Sequence, residues 1–241
     1  MRKYDTLLLD ADGTLFDFDL SERTALTNVL DGVNIKADEN ILSAYHEINA
    51  ERWRALERGE TTRDALKVER FSRLIGYLLR CGCSLSIKAE DMAKKYENEL
   101  SHQGFLIEGA VEVVRALSAE CELYIITNGV EKVQRGRFSS SPIMPYIKDV
   151  FISENIGAVK PDTEFFRIVL SSIGIDFDDS LAKSRVLVVG DSQSSDIRGG
   201  VDSGLDTCWY NPSGKASGEL PSKYEIKRLY ELLDVVGVSN K

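Results

Sequence analysis

Residues 6–15 of the chain read TLLLDADGTL, and this stretch decides the fold. Its first part, Thr6–Leu9, is a short apolar run that stops abruptly at the carboxylate of Asp10. Such a run predicts a strand buried on both faces, as strands are in parallel sheets covered by helices. The same pattern recurs, more weakly in the last case, at Leu123–Ile126, Val186–Val189 and Val150–Ile152.

Apolar residues at helical spacing separate these predicted strands. They occupy residues 111–117, ahead of the Leu123–Ile126 run, and residues 165–170, ahead of the Val186–Val189 run. Strands that alternate with helices along a chain indicate a parallel sheet with helices on both faces. The sequence therefore predicts an α/β fold with a doubly wound parallel sheet, closed by a short strand and a helix between Tyr224 and Val236.

A long segment after the first strand interrupts this alternation. Residues 19–103 contain no proline, many charges, and apolar residues at helical spacing. Breaks near Gly32, Gly59 and Cys81–Ser84 divide the segment into about four predicted helices. We predict two domains: residues 1–18 and 104–241 form the catalytic core, and residues 19–103 form an inserted helical cap over the carboxyl end of the first strand.

The charge balance restricts the partners. The chain has 30 Lys plus Arg against 39 Asp plus Glu, a formal net charge of -9, and its acidic residues are spread along the sequence. Such a surface repels a nucleic-acid backbone, so we expect no nucleic-acid partner. A phosphate group would have to be attracted by local devices, which favours a small, enclosed substrate.

The lack of a recognisable targeting signal and the spacing of the cysteines predict a cytoplasmic protein. The N-terminal apolar run is too short for a signal peptide, and no stretch approaches the ~20 apolar residues that a membrane span requires. We therefore expect no membrane association. The four cysteines match no common zinc or redox spacing, so they are predicted to be reduced thiols.

Polar side chains follow the predicted strands where each one ends. Asp10, Thr127 and Asp191 stand at three strand ends, and Lys160 lies between the last two in sequence. In parallel sheets, ligands bind beyond the carboxyl ends of the strands. Carboxylates with one ammonium suit Mg²⁺ shared with a substrate phosphate, with Asp10 and Asp191 as ligands. When the ion and Lys160 neutralise the phosphoryl oxygens, Asp10 can attack the phosphorus as a covalent nucleophile.

The neighbouring residues complete this hypothesis. Gly13 permits a turn that aims Asp12 into the same cavity as Asp10, where Asp12 can protonate the leaving alkoxide and later deprotonate water. Thr127, Asn128 and Gly129 are predicted to hold phosphate oxygens through the hydroxyl and backbone amides. Asp196 is placed one shell further out, where it orients a metal-bound water or the Lys160 ammonium.

The order of these motifs resembles the haloacid dehalogenase (HAD) superfamily, over essentially the whole chain. The motifs are Asp-x-Asp-Gly-Thr-Leu from Asp10, Thr-Asn-Gly from Thr127, Lys-Pro at Lys160, and Gly-Asp-Ser-x-x-x-Asp ending at Asp196. The resemblance implies a Rossmann-like core and a helical cap of the first subfamily. It also implies Mg²⁺ bound by the Asp10 and Asp191 carboxylates and the Asp12 carbonyl, with Lys160 steadying the nucleophile and the phosphoryl group.

Further segments resemble the pyrimidine 5'-nucleotidase branch, which dephosphorylates nucleoside monophosphates such as UMP and dTMP. They are residues 9–19, Ile152–Glu154, Gly157–Pro161 and residues 199–209. The first motif of that branch often has an acidic residue where this chain has Gly13. In dehalogenases of the superfamily, the residue two beyond the nucleophile is typically not an aspartate, so Asp12 disfavours dehalogenation.

Several alternatives stay open at this point. A sugar-phosphate phosphatase or a phosphomutase would carry the same motifs. A catalytically silent phosphate-binding module is disfavoured, because it would be expected to lose Asp10, Asp12 or Lys160. The chain could act as a monomer or a homodimer. Side chains of the insertion that could reach a substrate, although packing within the helical bundle is their simpler interpretation, are Arg52, Trp53, Arg54, Arg63 and Arg70.

Overall fold

The structure is a computed structural model that describes residues 3–216 and 222–238. It divides into two compact units. The first consists of Met1–Phe18, Gly104–Glu131 and Phe138–Lys241, and the second of Asp19–Gln103 together with Lys132–Arg137. The Gly-, Ser- and Pro-rich stretch Asn211–Pro221 predicts a turn, and its residues 217–221 lie outside the described residues.

A parallel sheet of six strands forms the first unit. Its strands are β1 (Thr6–Asp10), β2 (Glu122–Thr127), β3 (Asp149–Ile152), β4 (Val186–Gly190), β5 (Asp206–Tyr210) and β6 (Tyr224–Ile226). Their spatial order is β3-β2-β1-β4-β5-β6, and every neighbouring pair is parallel. Since β1 lies between β2 and β4, side chains at the carboxyl ends of these three strands meet at one edge of the sheet.

The second unit is built on four helices. They are α1 (Phe18–Asp31), α2 (Glu39–Glu57), α3 (Arg63–Arg80) and α4 (Ala89–Ser101). Side chains cap two of them: Asp38 accepts a hydrogen bond from the amide of Ile41, and Thr62 accepts one from that of Ala65. The rings of Tyr45, Phe71 and Tyr96 pack together with centroids 5.1 to 5.4 Å apart.

The remaining helices follow the strands of the sheet. They are α5 (Ala110–Ser118), α6 (Glu131–Ser139), α7 (Ser153–Ile156), α8 (Thr163–Ser172), α9 (Ser180–Lys183), α10 (Arg198–Asp202) and α11 (Glu231–Val236), with a 3₁₀ turn at Met144–Tyr146 and a π-helical turn at Gln193–Ile197. Successive side chains of a strand point to opposite faces. Leu7 accordingly packs in one apolar cluster with Val113 of α5, and Leu8 packs in another with Phe165 of α8.

The predicted doubly wound parallel sheet is confirmed. The pattern missed β5, because its sequence, Asp-Thr-Cys-Trp-Tyr, mixes polar and aromatic residues and does not form an apolar run. Within residues 19–103, all of which are described, the regular structure is helical. Among the described helices, none combines the length and the apolarity needed to cross a bilayer.

Candidate active site

A buried ammonium lies between two carboxylates at the end of β1. Nζ of Lys160 donates to Oδ1 of Asp10 and to Oδ1 of Asp196, each at 2.6 Å, and to the carbonyl oxygen of Ile126 at 3.1 Å. Lys160 and Asp196 are each 1% exposed and Asp10 is 6% exposed. Charge-assisted hydrogen bonds as short as these fix the direction of the ammonium.

The register of the sheet brings the two acidic segments together. Asp10 of β1 pairs with Ile126 of β2, and Leu9 pairs with Val189 of β4, so the first residue beyond β4 emerges beside Asp10. That residue is Asp191.

The π-helical turn that follows β4 returns Asp196 to the same edge. The amide of Ser192, directly before this turn, donates to Oδ2 of Asp196 at 3.1 Å. π-helical turns are rare and frequently stand at functional sites.

Three carboxylates therefore converge on one point. Oxygen atoms of Asp10, Asp191 and Asp196 all lie within 4.8 Å of one another. Three carboxyl groups face the Lys160 ammonium, and the donors are all hard oxygen atoms. Such a set fits a divalent cation of the Mg²⁺ type, which prefers carboxylate ligands.

The charges of this cluster change the titration of its members. Burial raises the pKa of Asp10 well above its ordinary value, and the charges of Asp196 and Asp191 add to the increase, whereas Lys160 opposes it. Burial and the charge of Asp196 raise the pKa of Asp191 to about 7, with a smaller contribution from Asp12. A cation in the cluster would relieve this repulsion.

Lys160 stays charged in the same surroundings. Burial alone would lower the pKa of its ammonium group, but the carboxylates of Asp10 and Asp196 outweigh burial and raise the pKa above its ordinary value. The ammonium therefore contributes a fixed positive charge beside Asp10.

A tight turn carries Asp12 past the end of β1. The amide of Phe16 donates to the carbonyl of Ala11 at 2.8 Å, and that of Gly13 donates to the carbonyl of Phe16 at 2.9 Å. Gly13 has a φ of +91°, and a Cβ at this position would lie 2.6 Å from Oδ2 of Asp191. Asp12 is partly exposed, and its charge acts on Asp191. The turn thus requires glycine at position 13, where an acidic residue would meet Asp191.

The side chains of the segment after β2 form hydrogen bonds within the protein. The hydroxyl oxygen of Thr127 accepts a hydrogen bond from the amide of Gly129 at 3.0 Å. The side chain of Asn128 bonds to the backbone of Lys160 at both its oxygen and its nitrogen. Whether Thr127, Asn128 and Gly129 bind phosphate stays a prediction.

Two residues for which the sequence predicts no role contact the cluster. The indole nitrogen of Trp209, on β5, donates to the carbonyl of Asp191 at 2.9 Å. The hydroxyl of Thr14 donates to Oδ1 of Asp191 at 3.4 Å. Thr14 belongs to the first motif, so its position could have been flagged, whereas Trp209 lies on the strand that the apolar pattern missed.

Within the insertion, two of the candidate arginines contact other residues of the same unit. Arg52 bonds to Glu51 at 2.6 Å and to Glu69 at 3.0 Å. Arg70 is 2% exposed and donates to Oδ1 of Asn49 at 3.1 Å. These contacts are those expected of arginines that stabilise a helical bundle.

The profile of the haloacid dehalogenase-like hydrolase family matches residues 4–204, a span that contains the whole acidic cluster. The chain belongs to this family. The predicted membership of the HAD superfamily is confirmed, and the chain is a HAD hydrolase with the α/β core of the family.

This HAD hydrolase is similar to YfnB over nearly the full length of both proteins. YfnB of Bacillus subtilis, which carries a provisional HAD-hydrolase name, is 36% identical over 100% of this chain and 98% of YfnB. The solved structure of YfnB, with magnesium bound, has a TM-score of 0.88 and covers 98% of this chain and 100% of its own.

Two further relatives are named pyrimidine 5'-nucleotidases. PynA of Streptococcus pneumoniae is 33% identical over 96% of this chain and 94% of PynA. YjjG of Escherichia coli is 28% identical over 95% of this chain and 96% of YjjG.

Proposed function

We propose that this HAD hydrolase is a Mg²⁺-dependent phosphomonoesterase that forms an aspartyl-phosphate on Asp10. One observation carries the proposal: Lys160 holds Asp10 at 2.6 Å inside a cluster of three carboxylates. The ammonium fixes one oxygen of Asp10, and the carboxylate has a second oxygen with which to attack phosphorus. A buried, oriented carboxylate of this kind is suited to covalent catalysis.

The donor set supports Mg²⁺ as the cofactor. The carboxylates of Asp10 and Asp191 and the carbonyl of Asp12 would hold the ion, while Asp196 orients the Lys160 ammonium. Bound Mg²⁺ would supply positive charge to the phosphoryl oxygens and so reduce their repulsion of the nucleophile.

The two aspartates of the first motif divide the reaction between them. Asp10 bonds to phosphorus while the ester oxygen leaves, and protonated Asp12 gives its proton to that oxygen. In the second half, Asp12 takes a proton from water as the water oxygen attacks the aspartyl-phosphate. Asp10 and inorganic phosphate are then released, and Asp12 is protonated again.

Other residues would stabilise the charge on the phosphoryl group. Lys160 places a permanent positive charge beside the nucleophile. The hydroxyl of Thr127 and the backbone amide of Asn128 stand at the carboxyl end of β2 and would donate to phosphoryl oxygens. The amide of Gly129 donates to the hydroxyl oxygen of Thr127 and would orient that hydroxyl towards the phosphoryl group. Donors fixed in place before the reaction stabilise developing charge with little reorganisation.

Pyrimidine nucleoside monophosphates are the proposed substrates. The support comes from PynA and YjjG, two full-length relatives named for this activity. A net charge of -9 favours a small phosphate ester over a nucleic acid. Asp12 favours phosphate chemistry over dehalogenation, since it provides the acid and base that ester hydrolysis needs.

Hydrolysis of p-nitrophenyl phosphate tests the reaction class. We expect turnover with Mg²⁺ that is abolished by EDTA and falls by at least about 10³-fold in Asp10→Asn and about 10²-fold in Asp12→Asn. Asp178→Asn, at an exposed loop aspartate, is the matched control and should keep the wild-type rate. Equal rates in wild type and Asp10→Asn would exclude the proposed nucleophile.

A substrate panel tests the specificity. We expect kcat/KM for UMP, dUMP and dTMP to exceed the values for AMP, GMP and hexose phosphates. A preference for hexose phosphates would instead favour a sugar-phosphate phosphatase, and interconversion of hexose phosphates without release of phosphate would favour a mutase. Release of halide from a 2-haloacid would contradict phosphate chemistry at this site.

A further inference from the structure

Asn128 holds the backbone of Lys160 at two points. Its Nδ2 donates to the carbonyl oxygen of Lys160 at 2.9 Å, and its Oδ1 accepts from the amide nitrogen of Lys160, also at 2.9 Å. The two residues are 32 positions apart in sequence. A pair of hydrogen bonds to one residue restrains both its position and its orientation, which a single bond cannot do.

The other end of Lys160 is equally restrained. Its Nζ contacts Asp10, Asp196 and the carbonyl of Ile126 within a buried environment. A lysine side chain has four rotatable bonds, so holding it in one conformation in a buried site costs conformational entropy. When the Lys160 backbone is held in place, fewer side-chain conformations remain in which Nζ does not reach the two carboxylates.

This arrangement assigns the Asn128 side chain to a task other than phosphate binding. Its only acceptor oxygen and one of its amide protons are bonded to the backbone of Lys160. The backbone amide of Asn128 is a separate group, and it is the one proposed above as a phosphate donor. Side chain and backbone of one residue would therefore serve two different parts of the site.

We propose that Asn128 is a positioning residue that acts through Lys160, setting the ammonium between Asp10 and Asp196. Its catalytic consequence rests on the proposed phosphatase function, whereas the positioning itself does not. Loss of the clasp, defined as the two hydrogen bonds between the Asn128 side chain and the Lys160 backbone, displaces the ammonium from the nucleophile. Displacements on the order of 1 Å can reduce a reaction rate about 10²-fold.

Kinetics separate a positioning residue from a phosphate ligand. We expect Asn128→Ala to lower kcat for p-nitrophenyl phosphate about 10- to 100-fold, with KM and inhibition by inorganic phosphate little changed. A phosphate ligand would instead raise both KM and the inhibition constant. Asn155→Ala is the matched control, because Asn155 is exposed and bonds to the side chain of Glu131.

A double-mutant cycle tests whether Asn128 acts through Lys160. In a Lys160→Met background the ammonium is absent, so adding Asn128→Ala should lower the residual kcat by less than about threefold, well below its effect in the wild type. Equal fold-losses in the two backgrounds would show that Asn128 acts independently of Lys160 and would overturn the proposal.

Nuclear magnetic resonance tests the positioning without any activity. A buried, hydrogen-bonded ammonium exchanges its protons slowly, so ¹⁵N-labelled wild type should give a protected Lys160 ammonium signal, assigned by its loss in Lys160→Met. We expect Asn128→Ala to broaden or remove that signal and Asn155→Ala to retain it. An unchanged signal in Asn128→Ala overturns the proposal.

The outcomes distinguish the two proposals. If the wild type hydrolyses no phosphate ester but the ammonium signal depends on Asn128, the proposed function fails and the positioning holds. If Asn128→Ala loses the signal yet keeps the wild-type kcat, the positioning has no catalytic role and the inference fails. Should Asn128→Ala not fold, as judged by circular dichroism, Asn128→Ser replaces it, since a serine hydroxyl is too short to bridge both backbone atoms.

Discussion

Nζ of Lys160 lies 2.6 Å from Oδ1 of Asp10, although 150 positions separate the two residues in sequence. Both side chains are more than nine-tenths buried. A buried charge is tolerated only when it is paired, and removing one partner leaves the other uncompensated. The pair therefore links the chemistry of the site to the stability of the core.

Lys160→Met should destabilise the fold by about 3 to 5 kcal/mol near pH 8. The burial that raises the pKa of Asp10 then acts without the opposing charge of Lys160. A carboxyl group whose folded pKa is raised becomes protonated in the folded state first, so the loss should shrink as pH falls from 8 towards 5. Urea unfolding in the presence of EDTA measures this loss of stability, and Lys148→Met, at an exposed lysine, is the control. A loss that grows towards pH 5 would contradict this account.

Gly190→Ala should disturb the acidic cluster. A Cβ at Gly190 would overlap the carboxylate of Asp196, which is held in place by Lys160 and the amide of Ser192. We expect a loss of about 1 to 3 kcal/mol in urea unfolding. Phosphatase activity should fall with it.

Gly76→Ala provides the matched control for Gly190→Ala. Gly76 lies inside α3, where an added Cβ would approach only the flexible end of Arg80, at 3.6 Å. Alanine in a helix interior should stabilise by roughly 0.5 to 1 kcal/mol. If both substitutions changed the free energy of unfolding in the same direction, steric overlap at Gly190 could not be the cause of its effect.

Trp209→Phe should weaken Mg²⁺ binding. The substitution keeps an aromatic ring at the end of β5 but removes the hydrogen bond from the indole nitrogen to the carbonyl of Asp191. Loss of a group that orients a ligand residue lowers metal affinity about 10-fold or more. Isothermal titration calorimetry with Mg²⁺ measures the change, and Trp53→Phe in the insertion should bind as the wild type does. Identical affinity in Trp209→Phe would show that the indole does not orient Asp191.

His46 should contribute pH-dependent stability to the insertion. A hydrogen bond to Glu22 raises the pKa of His46, and the charges of Asp19 and Glu47 add to the increase, while partial burial opposes it. A raised folded pKa means that the contribution is fully present below the unfolded value of about 6.5 and disappears as pH rises through the folded value.

Urea unfolding of wild type and His46→Gln at pH 6 and pH 8.5 measures this contribution. The difference between the two proteins should be larger at pH 6 and remain below about 1 kcal/mol, because the His46 side chain is 56% exposed. In a Glu22→Gln background the pH dependence should largely vanish. A difference that increases towards pH 8.5 would contradict the predicted sign.

Local patterns in the sequence were sufficient to predict most of the strands, the helical insertion and the candidate residues at the strand ends. The apolar runs at Leu123–Ile126 and Val186–Val189 and the helical spacing of residues 19–103 depend only on which side chains are buried. Strand ends then identified Asp10, Thr127 and Asp191, because parallel strands present their carboxyl ends at one edge. The apolar runs did not predict β5, because this strand is buried although its residues are not uniformly apolar.

Only the tertiary structure decided how these residues contact one another. Sequence spacing left two roles open for Asp196, and the fold bonds it to the Lys160 ammonium. No sequence pattern pairs the Asn128 side chain with the backbone of Lys160, or Trp209 with Asp191. Burial periodicity is a local property that a sequence carries directly. Contacts between distant residues depend on strand register and turn geometry, which are fixed only when the whole sheet assembles.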